Sequence, residues 1–190
     1  MKLTYPTQNK SRSMFRKQIS LFFSFFFLCV ASVIAQPGKD GALTVSTTNT
    51  VVNRYTRVTT DILAGSNTVT VTDINELNRD GITYLPATYV TNSSVYASNA
   101  IGIGDLIILY QAQGAIIDNS NALSYGDIVD YNGSGSYELA YVESVSGNTI
   151  TLSCQAKLSY FAAAYVQVIR VPQYTTLTVN SGASVVAIPW

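Results

Sequence analysis

Apolar and hydroxylated residues take turns along much of this chain, with the period of two that a half-buried β-strand requires. In NTVTVTD, residues 67–73, Val69 and Val71 point one way while Thr68, Thr70 and Thr72 point the other. In YELAYVESV, residues 137–145, Tyr137, Leu139, Tyr141 and Val145 read as one face, with Glu143 as an intruder. Residues 146–148, SGN, then turn the chain, with Gly147 or Asn148 taking the positive φ of a tight hairpin. The returning strand carries Ile150, Leu152 and Cys154 on alternate positions, so Cys154 is expected as a small buried hydrophobe.

GDLIILYQAQGA, residues 104–115, is apolar on both faces from Leu106 to Leu109, which predicts a central strand of a barrel or sandwich. YVQVIRVP, residues 165–172, predicts another strand, stopped by Pro172. Between these lie two loop-rich excursions. Residues 75–103 are rich in Asn, Ser, Gly and Thr, with a short helical turn expected around INELN. In residues 118–136, Gly126, Gly133 and Gly135 break any regular element. The last segment changes rhythm: LTVNSGASVVA sets Leu177 and Val179 on one side of an Asn180-Ser181-Gly182 turn, answered by Val185 and Ala187. Strand, glycine turn and equal strand is the pattern of the first coil of a parallel β-helix. The expectation is therefore an all-β fold: a small β-barrel or sandwich with long loops over residues 36–172, leading into a solenoid-like segment at 173–190 that continues past Trp190.

Charge sharpens the division of the chain. Five of the eleven basic residues, Lys2, Lys10, Arg12, Arg16 and Lys17, lie in the first 35 residues, which hold no carboxylate, and the remaining six face all eleven Asp and Glu, a net of 6 minus 11, or −5. The basic start runs into the apolar stretch from Leu21 to Val33, and Val33-Ile34-Ala35 offers modest side chains before a cut after Ala35. This is the layout of a secretory signal over residues 1–35, and at about 1.5 Å per residue its core is too short for a roughly 30 Å bilayer. Phe26, Phe27 and Leu28 before Cys29 are too bulky for lipid attachment. Export with no membrane span after cleavage follows as the expected location. The acidic remainder lacks the basic footprint of nucleic-acid binding.

The chain has no histidine, which removes Ser/His and Cys/His dyads and imidazole metal sites. Gly102 and Gly104 precede a strand instead of a helix, which argues against a phosphate cradle. No catalytic, cofactor or metal residue is assigned, and no cofactor is expected. Four features remain as weaker candidates. Asp127 with Asp130, and Glu138 with Glu143, are carboxylate pairs that a glycosidase would need facing across a cleft of about 5–9 Å. Asp118, Asn119, Ser120 and Asn121 with Asp127 and Asp130 concentrate oxygen ligands suited to calcium, at a spacing that fits no EF-hand. Tyr84, Tyr89, Tyr96, Tyr110, Tyr125, Tyr131, Tyr137, Tyr141, Tyr160 and Tyr165 offer stacking surfaces for sugars or proteins. For each the ordinary alternative is a solvated loop or a strand tyrosine.

GKDGALTV, GDLIILYQAQGA, YELAYVESVSGNTITL and VQVIRVPQYTTLTVNSGASVVA occur in an order that resembles the amino-terminal region of large secreted surface proteins of Bacteroidetes, over roughly residues 38–190. The resemblance implies further β segments and a sorting domain of type IX secretion and gliding motility beyond Trp190. It is also similar to β-domains that precede parallel β-helices in adhesins and polysaccharide-degrading enzymes. The expected function is a non-enzymatic structural or adhesive module. Its expected partners are other β modules of the same longer protein and surface glycans or proteins. The alternatives are the non-catalytic leader of a β-helical polysaccharide lyase or hydrolase, and a carbohydrate-binding module.

Overall fold

The computed structural model describes residues 38–81 and 85–187. The chain divides into two units, Met1–Ile34 and Ala35–Trp190. The expected signal segment, Tyr84 and Trp190 lie outside the described residues.

Among the described residues the second unit is built from strands, with helical structure confined to two 3-10 turns, Ile74–Leu77 and Ala162–Ala164. The strands are β1 (Gly41–Val45), β2 (Thr50–Val51), β3 (Arg54–Arg57), β4 (Thr68–Thr70), β5 (Val90–Thr91), β6 (Leu106–Gln111) and β7 (Ile116–Ile117). They continue with β8 (Ile128–Asp130), β9 (Tyr137–Ser146), β10 (Thr149–Leu152), β11 (Val166–Val171), β12 (Tyr174–Val179) and β13 (Val185–Val186). The expected all-β fold is what forms, and the turn around INELN is the first of the two 3-10 turns.

Six strands make one antiparallel sheet in the order β3-β11-β6-β9-β10-β4. It curls until its two outer strands meet: Val58 bridges Val71, Thr59 N donates to Thr70 O at 2.9 Å and Thr72 N to Arg57 O at 2.8 Å. The closed side encloses Val58, Val69, Val71, Ile107, Leu109, Val142, Ile150, Leu152, Val166 and Val168, all buried. Central placement of β6 and the stop of β11 before Pro172 agree with the sequence pattern. The β9–β10 hairpin turns on Gly147-Asn148 with Gly147 at φ +54. Asn148 also holds the next segment, its Nδ2 donating to Thr72 O and its Oδ1 accepting from Ile74 N.

Two expectations are overturned. The face of β9 is inverted: Tyr137 is 66% and Leu139 59% exposed, while Val142 is buried and Ala140 packs on the core. The cause is register. Ala140 lies opposite Ile107 and Glu138 opposite Leu109, whose side chains fill the barrel, and cross-strand partners share a face. Opposite β10 the pairing then slips by one residue, from Val142–Leu152 to Ser144–Thr151, so Glu143 is an inserted residue and Val145 returns inward against Ile150. A single extra residue switches the face, which strict alternation does not anticipate. The second correction is Cys154, which is exposed. β10 ends at Leu152, so the alternation stops before it reaches the cysteine, and Ala156 takes the buried position.

Outside the barrel, β7 and β8 form a separate antiparallel ribbon, and the remaining pairing is parallel. β1 lies beside β12 with Leu43 opposite Leu177, Thr44 opposite Thr178 and Val45 opposite Val179. β13 lies beside β2, and β2 beside β5. LTV followed by a polar turn and VV occurs in both segments, residues 43–52 and 177–186, so two like coils stack in step. The barrel strands run between them in sequence. Each turn is tied to the other: Asn180 N donates to Val45 O, Ser184 N to Thr47 O, and Asn49 N to Ser184 Oγ.

Candidate functional site

The barrel meets the coils through buried charge. Arg170 shares the inward phase of β11 with Val166 and Val168, and Arg54 shares that of β3 with Thr56, so both guanidiniums enter the end of the barrel where neighbouring strands supply valine and isoleucine. Burying a cation is costly unless it is paired and hydrogen-bonded. Arg170 meets that condition at both terminal nitrogens, while its buried Nε has no hydrogen-bond partner. Its Nη2 lies 3.0 Å from Asp105 Oδ2, its Nη1 donates to Leu77 O and Asn99 O, and its guanidinium lies 4.0 Å from the centre of the Tyr96 ring. Arg54 donates from Nε and Nη2 to Arg79 O and from Nη1 to Asn53 O. Burial pulls the Arg54 pKa down, opposed by the nearby Tyr96, Tyr174 and Asp80.

Asp105 is the pivot. Besides Arg170 it pairs with Lys39 from the segment leading into β1, and it accepts from Gly102 N at 2.8 Å. Tyr96 donates to Val52 O and Arg170 O, and burial pushes its phenol well above the usual tyrosine range. Asp40, also buried, accepts from Ala97 N and Gln173 N, which joins the 85–103 excursion to both coils. This cluster fixes the coils against the barrel and leaves none of its charges free to act on a substrate. Sequence pattern passed over it, although an arginine in phase with the valines of VQVIRV is the signal that marks it.

Three surfaces stand open. The first is the outer side of the second coil. Leu43 is 1% exposed and Val45 fully buried, but their partners one coil on, Leu177 and Val179, are 49% and 46% exposed. The second is the β7–β8 ribbon with its connecting loop, where Ile116, Ile117, Leu123, Tyr125, Ile128, Val129 and Tyr131 are exposed. The third is an open cleft of about 290 Å³ beside the barrel seam, lined by Arg57, Val58, Thr59, Thr72, Ala162 and Ala163. At its lip the Arg57 guanidinium sits 4.2 Å from the centre of the Tyr165 ring. Tyr165 holds φ +57 in the left-handed region, a conformation costing a non-glycine residue on the order of 1 kcal/mol.

The residues singled out from sequence scatter. Glu138 lies inside the barrel beside Tyr160, its Oε2 accepting from Lys157 N, while Glu143 faces solvent at the bulge. Burial, with Glu138 second, raises the Tyr160 phenol above its usual range. Asp118 Oδ1 accepts from Ser120 N and Asp130 Oδ1 from Asn132 N, both local turns. Hydrogen bonds from Ser124 and Ser120 hold the Asp118 carboxyl below the usual carboxylate range. Among the described residues, no three Asp, Glu or Cys side chains converge as a metal site would require. Of the tyrosines, Tyr125, Tyr131, Tyr137 and Tyr165 are exposed, and Tyr96 and Tyr160 are buried.

No family model matches the chain. No curated protein matches it either. Solved structures to which the chain shows a partial likeness include the Gp54 tailspike of Acinetobacter baumannii bacteriophage AP22 in complex with A. baumannii capsular saccharide, 17% identical with a TM-score of 0.39 over 77% of this chain and 20% of that one. The tailspike gp49 from Pseudomonas phage LKA1 is 16% identical, with a TM-score of 0.37 over 76% and 21%. The Pseudomonas phage phi297 tailspike gp61 is 17% identical, with a TM-score of 0.34 over 78% and 24%. The chain spans less than a quarter of the length of each.

Proposed function

We propose that this chain is a non-enzymatic structural and adhesive module of a cell-surface or extracellular protein, one that mounts a barrel on a parallel β-solenoid. The observation that carries this reading is the in-step stacking of the two LTV coils, with the inner row buried in one and half exposed in the next. In a solenoid each coil contacts its neighbours alone, so the open row at Leu177 and Val179 is the seat for a following coil. Export by a signal cleaved after Ala35, and membership of the Bacteroidetes surface proteins, belong to the same proposal. They rest on the pattern of residues 1–35 and on the resemblance over residues 38–190.

The test is to append a second copy of residues 174–187 after Trp190. Covering Leu177 and Val179 is worth about 1 kcal/mol each, so the melting temperature rises by several degrees and the β12 amides gain protection from hydrogen exchange. Unchanged exchange in β12 would remove the seat.

A carbohydrate-binding role draws on a separate observation, the Arg57 guanidinium held over Tyr165 beside Thr59 and Thr72. The guanidinium covers one face of the ring, so a sugar would stack on the opposite face of the half-exposed Tyr165 while the hydroxyls of Thr59 and Thr72 and the edge of Arg57 supply polar contacts. Glycan-array binding that disappears in both Arg57→Ala and Tyr165→Ala supports it; an array with no bound sugar ends it.

A further inference from the structure

We propose that the sugar-binding surface continues from the cleft as a row of side chains across the outer face of the barrel sheet, and that it takes a linear glycan chain lying across the strands. The proposal rests on the carbohydrate reading of the Arg57–Tyr165 cleft and adds the form of the ligand: consecutive sugars of a polymer instead of a single ring. Register builds the row. Arg57 on β3 lies opposite Gln167 on β11, Gln167 opposite Tyr110 on β6, and Tyr110 opposite Tyr137 on β9. Cross-strand partners share a face. Val58, Val168 and Leu109, the next residues along or back on three of these strands, are buried in the barrel, so the row points outward. It begins at the cleft, where Tyr165 stacks on Arg57, and ends at the exposed Tyr137. With neighbouring strands about 4.8 Å apart, its three steps span roughly 14 Å, room for about three sugar units.

The chemistry of the row argues for a hydroxylated ligand. Gln167 carries the argument furthest. It is 8% exposed, yet among the described residues its side-chain amide has no hydrogen-bond partner. Burying an amide without a partner is costly. The other buried glutamine of the sheet, Gln111 on the inward face, shows the ordinary solution: its amide donates to Gln113 O and Asn132 O and accepts from Phe161 N. A sugar hydroxyl both donates and accepts, which is what the Gln167 amide lacks. Arg57 is likewise unspent. Lys39, Arg79 and Arg170 each pair with an aspartate, whereas Arg57 enters no ion pair among the described residues and its guanidinium lies against the Tyr165 ring. Tyr110 and Tyr137 add aromatic faces for the C–H side of a sugar ring. Asp61 beside the cleft is held by Ala162 N, and Glu138 of β9 points into the barrel, so neither carboxylate enters the row. Polar groups at two of its four positions favour a glycan over the apolar surface of a protein.

The experiment is calorimetric titration of the full chain with chito-, cello- and galacturono-oligosaccharides, each from disaccharide to hexasaccharide. In the series that binds, the hexasaccharide is expected to bind about 10-fold tighter than the disaccharide or better. Tyr137→Ala, at the exposed far end of the row, removes that advantage and leaves disaccharide affinity within about twofold. Gln167→Leu, which keeps the volume and drops the amide, weakens the hexasaccharide by about 10-fold. Tyr131→Ala, an equally exposed tyrosine off the row, changes neither. A disaccharide bound as tightly as the hexasaccharide, or hexasaccharide affinity untouched by Tyr137→Ala, overturns the row and leaves the cleft standing. Failure of every series to bind at about millimolar concentration overturns both.

Discussion

Arg54 and Arg170 stand directly opposite each other on β3 and β11, both buried, and Arg170 lies 3.0 Å from Asp105. Two like charges in one strand pair are tolerated because each donates to backbone carbonyls and because Asp105 supplies a negative charge shared with Lys39. The arrangement makes the carboxylate the more sensitive partner.

Asp105→Ala is predicted to destabilise the fold by about 3–5 kcal/mol, because it strands a buried cation. Combining Asp105→Leu with Arg170→Met is expected to restore most of that loss by removing both charges at once. Urea denaturation of the single and double variants measures it. A single variant within about 1 kcal/mol of the wild type would show that the pair is not holding the coils to the barrel.

The two coils offer an internal control. Leu43→Ala is predicted to cost about 2–5 kcal/mol and Leu177→Ala under about 1, since the first leaves a cavity and the second trims a half-exposed side chain. The same substitution in the same motif then differs only through what lies above it. Equal costs in chemical denaturation would contradict the burial difference.

Alkali is expected to destabilise the protein. Tyr96 and Tyr160 have phenol pKa values raised by burial, so the native state keeps their protons at a pH where the unfolded chain, near its ordinary value of about 10, loses them. Their contribution is complete below pH about 10 and falls as pH rises toward the native values, by up to about 1.4 kcal/mol per pH unit for each. Urea midpoints followed from pH 8 to 11.5 test it, and Tyr160→Phe should make the decline shallower. A flat profile would mean these phenols are solvated.

Cys154 is predicted to react with a water-soluble thiol reagent in the native state as fast as in urea, within a factor of about three, because it lies past the end of β10 in solvent. Strong protection until unfolding would return it to the interior.

Much of the barrel was legible from residues alone. Val69, Val71, Ile150 and Leu152 alternate without interruption and are all buried, and Gly147 marks its own hairpin. Where the reading failed, a local irregularity was responsible. Glu143 adds one residue to β9 and reverses a face, and nothing in YELAYVESV distinguishes a bulge from a stray charge. Leu43 and Leu177 are 134 positions apart, so a parallel pairing between them leaves no short-range trace, even though the triplets are identical. The Arg170 network escaped because an arginine at a strand's end ordinarily reaches solvent, and only the loop carrying Tyr96, Ser98 and Asn99 closes over it. The ribbon was read as loop because its short strands are framed by glycine and aspartate.

The separation of β1 from β12 also sets an order of events in time. A chain synthesised from its amino terminus at about 5–20 residues per second must expose Leu43 and Val45 for on the order of ten seconds before Leu177 and Val179 exist to pair with them. The β6, β9, β10 and β4 strands can pair during that wait, but β11, which joins β3 to β6, ends at Val171, so closure of the barrel and registry of the outer coil are expected together at the end of synthesis.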